Sequence, residues 1–399
     1  LLSALFAFQL SFFITFEYPI EFLKFKKMRY LVILSVTAVI ALAACNKEAE
    51  LNNPKSVSLY LPQATYLYYP DTISNENEKA TLGRVLFYDT HLSLNNTIAC
   101  ASCHKQEFAF SDNNRFSKGF ENRKTSRNSP ALQDFGSFTF MPPFDPGDQP
   151  PGFDPIFGQG SFFWDGRESD LKNLIMRPVM NHIEMGIANP EELPAKLGAL
   201  PYYASLFNSA FGSSEITVDK ISQSVERFLS AMQATNSRFD KATLSGSGLT
   251  ALEEQGRLLF NTKYPCGNCH QPSTGPYFSP GFFNIGLDNT PTDKGRTAVS
   301  NLSSDEGSFK TPNLKNIALT APYMHDGRFN TLEEVIDHYS NGIKETPNLA
   351  INLRQSKSSE PLRLNITKED KRALIAFLNT LTDYSFITDP KFSNPFVAK

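Results

Sequence analysis

The pattern Cys-x-x-Cys-His occurs twice in this chain, as Cys100-Ala101-Ser102-Cys103-His104 and as Cys266-Gly267-Asn268-Cys269-His270. No other feature restricts the fold so strongly. Two thiols on one tight turn reach the two vinyl groups of a porphyrin, and the imidazole that follows lies under the iron as proximal ligand. Each copy therefore reads as the attachment site of one covalent haem c. A dithiol redox pair has no need of the histidine, and a four-cysteine zinc ribbon does not hold its pairs so far apart. The chain has five cysteines, and the two motifs account for all but Cys45.

A short repeat accompanies the motifs. Gly83-Arg84-Val85-Leu86-Phe87 precedes the first and Gly256-Arg257-Leu258-Leu259-Phe260 the second, each reading as the end of an amphipathic helix that feeds a haem loop. A covalent porphyrin supplies much of a small domain's core, so helices and loops suffice around it. The expected fold is mainly α, with two cytochrome c-like haem domains packed together and long ordered loops. A length of 399 residues suits two domains. The expected divisions are a leader at 1–45, a polar tether at 46–74, a first haem domain at 75–245 and a second at 246–399.

The leader is set aside before any fold reasoning. Met28 to Cys45 reads as an export signal, with Arg29 as positive charge, Tyr30 to Leu42 as apolar core and small residues before Cys45. Leu42-Ala43-Ala44-Cys45 resembles a lipobox, so a lipid anchor at Cys45 and a periplasmic or cell-envelope location are expected, with membrane attachment through that anchor alone. Residues 1–27 read as an over-extended start; the rival reading, a membrane helix at Leu1 to Phe16, is short for a span. The formal charge of −3, with no basic run beyond Lys24 to Arg29, argues against nucleic acid as a partner.

Helix signals place the rest. Phe135 to Phe163 is rich in Phe, Pro and Gly and reads as a long ordered loop. The stretch from Glu191 to Asp240 turns amphipathic, with Thr217 or Asp219 starting its second helix, and Ser245 to Gly248 forms the link between the domains. Helices are expected from Thr250 and from Thr367, the latter turning Leu374, Phe377, Leu378 and Leu381 to a core.

The stretches "LGRVLFYDTHLS", "CASCH", "RNSPAL", "FFWDGR", "PVMNHIEMG", "CGNCH", "FKTPNLKNIALTAPYMHDGRFNTLEEVIDHY" and "LIAFLNTLT" together resemble the bacterial di-haem cytochrome c peroxidases and their MauG-like relatives. The resemblance implies that the first haem handles hydrogen peroxide while the second accepts or stores electrons. It puts the acid–base carboxylate at Glu184, and an electron relay at Trp164, the single Trp of the chain. The bland readings are a solvated helix residue for Glu184 and core packing for Trp164. A calcium ion is implied as well, with Asn128 as side-chain ligand and Thr320 and Pro322 as carbonyl ligands. Implied partners are a small cytochrome or other periplasmic electron donor, or a protein substrate, and relatives are often homodimers.

Three departures from the better-known peroxidases set the subtype. Their distal Gly-His pair is Gly119-Phe120 here, and phenylalanine cannot ligate iron, so the first haem is expected to be open to peroxide. Their methionine ligand to the second haem falls at Tyr339, as in MauG-like proteins, where an anionic oxygen donor favours ferric or higher states. The alternatives at that place are ligation by the adjacent His338, or Tyr339 as plain core on a helix from Leu332 to Tyr339; His325 ranks below both. A glutamine that lines the peroxide pocket in relatives is Leu174 here. His91 and His182 read as ordinary polar residues. The expected activity is peroxide reduction at the first haem with electrons passed through the second. Its rivals are a MauG-like oxidase of a partner protein and a non-catalytic electron carrier.

Overall fold

Two glycines, Gly83 and Gly256, determine how the helices cross. The structure, a computed structural model, describes residues 58–61, 75–134, 161–270, 281–356 and 358–396. The loop expected at 135–163 and the leader with Cys45 lie almost wholly outside these residues.

In chain order the helices are α1 (Glu76–Tyr88), α2 (Cys100–Cys103), α3 (Leu171–Met180), α4 (Leu193–Gly198), α5 (Tyr203–Phe211), α6 (Val218–Ala231), α7 (Arg238–Ser245), α8 (Ala251–Leu258), α9 (Thr297–Ser300), α10 (Leu332–Asp337) and α11 (Lys368–Thr380). The described strands, β1 (Phe282–Phe283) and β2 (Phe309–Lys310), form one short antiparallel pair that sets Phe282 opposite Lys310 and Phe283 opposite Phe309. The chain is thus mainly helical.

The starts of these helices were legible. Thr217 rather than Asp219 caps α6, its hydroxyl accepting from Lys220 N. Thr250 and Glu253 form a reciprocal capping box at α8, and Thr367 accepts from Asp370 N at α11. Each cap satisfies a backbone donor that the first turn leaves open.

α1 packs on α6, and α8 on α11. A Cβ on Gly83 would lie 1.9 Å from the Ser224 carbonyl oxygen, and one on Gly256 would lie 1.9 Å from that of Ala373. The two crossings therefore bring helix backbones together where only glycine fits. Four residues beyond each glycine, a phenylalanine meets the partner helix edge to face: Phe87 on Phe228 with centroids 5.4 Å apart, and Phe260 on Phe377 at 5.5 Å. Such pairs add about 0.5–1.5 kcal/mol beyond the burial itself. The sequence repeat is thus a repeat in three dimensions: glycine crossing, aromatic pair, then haem motif.

Each crossing anchors a hydrophobic core. The first gathers residues of α1, α3, α4, α5 and α6; the second gathers Phe260, Tyr264, Leu314, Tyr323, Leu332 and Ile336 with Leu374, Phe377 and Leu378 of α11 and Leu381 just beyond it. Phe386 and Phe392, from the far end of the chain, return to the first core. Fully buried Arg84 ties them down, donating from Nε to Ser393 O (2.8 Å), from Nη1 to Lys391 O (3.4 Å) and from Nη2 to Tyr60 O (2.6 Å). Leu59 bridges Phe396, so residues 58–61 of the expected tether are docked on the first core.

Two π-helical turns follow α8 and α10, at Leu259–Lys263 and His338–Gly342. One leads into the second motif and the other carries Tyr339. The expected helix from Leu332 to Tyr339 therefore changes character after Asp337. The wider turn shifts Tyr339 off the α-helical register that the sequence pattern assumed.

Candidate functional site

Both Cys-x-x-Cys-His motifs close in the same way. His104 N donates to Cys100 O and His270 N to Cys266 O, each at 2.9 Å, so each motif closes as one tight turn from the first cysteine to the histidine. None of the four motif cysteines forms a disulfide. Burial pushes Cys100 up to about 12, Cys103 to about 11 and Cys266 to about 12, and it raises Cys269 too. Redox motifs do the reverse, lowering one thiol to make a thiolate. Half-buried pairs with raised thiol pKa fit thioether attachment.

The first motif opens on a cavity of about 840 Å³ lined by Cys100, Cys103, His104, Leu174, Pro178, Asn181, Glu184, Trp164 and Arg167 among others, within the size range of cofactor sites. His104 Nδ1 pairs with Phe110 O at 2.8 Å, and burial holds the ring below its ordinary pKa. A neutral imidazole that donates from Nδ1 presents its Nε2 lone pair to a metal. Among the described lining residues His104 is the only histidine. The residues present thus fit a haem with one protein ligand.

Glu184 lies on the turn after α3. Asp170 caps that helix, accepting from Asn173 N at 2.9 Å, and the chain leaves it at Asn181 in extended conformation. Burial raises the Glu184 carboxyl above its usual range, while Arg167 and a hydrogen bond from Asn181 oppose that shift. A carboxyl poised nearer neutrality suits proton transfer in both directions. Phe120 stands behind this turn: its N–H donates to Glu184 O at 2.8 Å, and its ring packs against Gly186. It does not line the cavity, whereas Leu174 does.

The second motif opens on a cavity of about 480 Å³ lined by Cys266, Cys269, His270, His325 and Tyr339. Burial holds the Tyr339 hydroxyl well above its ordinary pKa, and the neighbouring Cys269 and Cys266 sulfurs add to the effect. The two alternatives are placed differently. His338 is turned away, its Nε2 paired with Ile285 O at 3.0 Å, and it is not among the lining residues. His325 lines the cavity but stacks on Phe309 with ring centroids 3.6 Å apart. Burial pushes both imidazoles down to about 4.

Trp164 lines both cavities. Its Nε1 donates to Asn128 O at 2.8 Å, and its carbonyl accepts from Lys310 N at 2.7 Å. Burial brings the Lys310 ammonium down to about 8. Arg127 fixes the surroundings, donating to Asp165 at 2.6 Å and to both Asp293 oxygens at 2.7 and 2.8 Å, which joins a loop of the first half to one of the second. Asn128, Thr320 and Pro322 line the second cavity together. Asn128 Nδ2 donates to Asn114 O at 3.1 Å, leaving Oδ1 as the atom able to face a cation. An amide and two carbonyls fit a hard ion such as calcium. Among the described residues no group of three or more His, Cys, Asp or Glu gathers as a metal site.

His91 and His182 stay outside both cavities; His91 pairs with buried Asp89 at 2.6 Å. Sequence reasoning missed Asn181, Arg167 and the Arg127–Asp165–Asp293 cluster. Only Asn181 left a signal, as an Asn two residues before the N–H that closes an Asx turn. The ion-pair cluster joins residues 38 and 166 positions apart, which no local pattern reports.

Residues 77–248 match the family described as di-haem cytochrome c peroxidase. The methylamine utilization protein MauG of Methylorubrum extorquens is 31% identical over 307 residues, covering 76% of this chain and 78% of that protein. The cytochrome c551 peroxidase of Nitrosomonas europaea is 31% identical over 317 residues, covering 78% and 82%. The crystal structure of a MauG-like protein associated with microbial copper homeostasis is 32% identical and superposes with a TM-score of 0.68, covering 85% of this chain and 99% of that one.

Proposed function

Because the chain belongs to the di-haem cytochrome c peroxidase family, which takes in both MauG and the cytochrome c peroxidases, we propose that it reduces hydrogen peroxide in the cavity of His104. The observation that carries this reading is the conjunction, in one cavity, of a single histidine with a half-buried carboxyl whose pKa is raised. Cys100 and Cys103 would hold a haem whose iron would supply the redox chemistry of O–O cleavage, two electrons and two protons being taken up for two waters released. Glu184 accepts a proton from the near oxygen of peroxide and delivers it to the far one. Leu174 adds no hydrogen bond, so that shuttle rests on Glu184 and its turn. Cys266, Cys269 and His270 would hold a second haem, Tyr339 would offer it an oxygen donor, and Trp164, lining both cavities, is the side chain placed to relay electrons between them. Calcium at Asn128, Thr320 and Pro322 braces the region between the cavities. The protein works in the cell envelope, anchored at Cys45.

A second reading is favoured by Tyr339. An anionic oxygen donor lowers the potential of its iron, which suits storage of oxidising equivalents for a protein side chain over receipt of electrons from a small cytochrome. Stopped-flow mixing of peroxide with the ferric protein, then with a reduced small cytochrome, separates the two. Rapid cytochrome oxidation supports the peroxidase; a long-lived oxidised state that the cytochrome does not discharge supports the protein oxidase. A spectrum inert to both peroxide and cyanide leaves only an electron carrier. Tyr339→Phe is expected to change the low-spin ferric signal alone; an unchanged signal rules this residue out as a ligand.

A further inference from the structure

We propose that Asn181 is the positioning residue that orients Glu184, fixing one carboxyl oxygen and leaving the other to carry the proton. The inference rests on the acid–base reading of Glu184 above and extends it to a residue that the reading does not use.

Asn181 stands at the end of α3 and organises the whole turn. Its backbone carbonyl accepts from Glu184 N (3.0 Å), Met185 N (3.1 Å) and Gly186 N (2.9 Å). Its side-chain oxygen accepts from Ile183 N at 2.8 Å, and its amide nitrogen donates to Glu184 Oε1 at 2.8 Å. The two ends of one amide thus do different work: Oδ1 shapes the turn and Nδ2 holds the carboxylate. With Oε1 occupied, Oε2 is the oxygen left to exchange a proton. A hydrogen bond to the ionised form also opposes the rise in pKa that burial imposes. Elsewhere around Glu184, Arg167 acts in the same sense as Asn181. The Cys100 and Cys103 sulfurs interact with the carboxylate across the cavity. On the outer side of the turn Arg123 donates to His182 O. Among the described residues Asn181 is the one neutral side chain that donates to this carboxylate.

The near-isosteric Asn181→Asp separates the two roles. It keeps an acceptor for Ile183 N but sets a like charge against Glu184. In the di-haem protein, infrared titration of the Glu184 carboxyl, assigned by its loss in Glu184→Gln, reads its pKa without turnover. The expected result is an upward shift of about one unit or more in Asn181→Asp, with the ferric spectrum unchanged and the melting temperature lowered only modestly, by the like-charge repulsion that produces the shift. Asn181→Ser, which retains a short donor and acceptor, is expected to recover part of the shift. The acid limb of kcat/KM for peroxide should move with the carboxyl, and kcat should fall about 10–100-fold, the loss of one hydrogen bond to a charged group. A Glu184 pKa unchanged in Asn181→Asp overturns the proposal. A shifted pKa together with full turnover in Glu184→Gln leaves Asn181 as the positioning residue and instead sinks the catalytic role of Glu184.

Discussion

Glu184→Gln is expected to slow peroxide turnover by roughly 10²–10⁴-fold while both haems remain attached. The amide keeps the shape of the carboxyl and its place on the turn, so folding and haem content should not change. What it loses is the ability to take a proton from one peroxide oxygen and release it at the other. Burial lifts the carboxyl above its ordinary range, and this gives the effect a pH signature. Below its pKa the group is protonated and cannot accept a proton. In the native protein kcat/KM should therefore fall as pH drops through a value above the ordinary carboxylate range, and that acid limb should vanish in the variant. Native turnover in Glu184→Gln would mean that another group moves the proton. Arg167 lies in the same cavity but is a poor substitute, because a guanidinium offers donors and no acceptor.

The second large effect concerns the crossings. Gly256→Val is expected to cost at least about 2–3 kcal/mol. A Cβ there would lie 1.9 Å from Ala373 O and 2.8 Å from the Phe377 Cβ, so helices α8 and α11 must separate before the side chain fits. Separation pulls Phe260 from Phe377 and loosens the turn that presents Cys266. The change should appear as a lower denaturation midpoint and as reduced haem content at the second site, with the first retained. Gly83→Val, facing Ser224 O at the same 1.9 Å, should do the same at the first site. Unaltered stability in both variants would mean that the crossings open without loss and that the two cores are not built on them.

These two effects mark what the sequence could and could not convey. The repeated glycine and the cysteine motifs were readable because each is a local pattern with one steric or chemical solution. Helix starts at Thr217, Thr250 and Thr367 were readable for the same reason. The register of Tyr339 was not: a π turn after Asp337 depends on packing around it, and an α-helical pattern continues through it undisturbed. The return of Phe386 and Phe392 to the first core was hidden as well, since their partner Arg84 lies some three hundred residues away. Its repeat equivalent, Arg257, pairs locally with Glu254 instead, so the repeat gave no hint of the clasp. The different placement of Tyr339 and His338 was hidden too, since the hydrogen bond of His338 Nε2 with Ile285 O comes from a residue 53 positions away. Asn181 was legible only as half of a turn; its second contact, to the carboxylate, required coordinates.

Electron paramagnetic resonance of the purified resting ferric protein tests the asymmetry between the two cavities most directly. One high-spin and one low-spin haem in equal amounts, with only the low-spin signal altered by Tyr339→Phe, is the spectrum this arrangement of His104, Glu184, His270 and Tyr339 predicts. Two low-spin signals, both indifferent to Tyr339→Phe and to added cyanide, would contradict it.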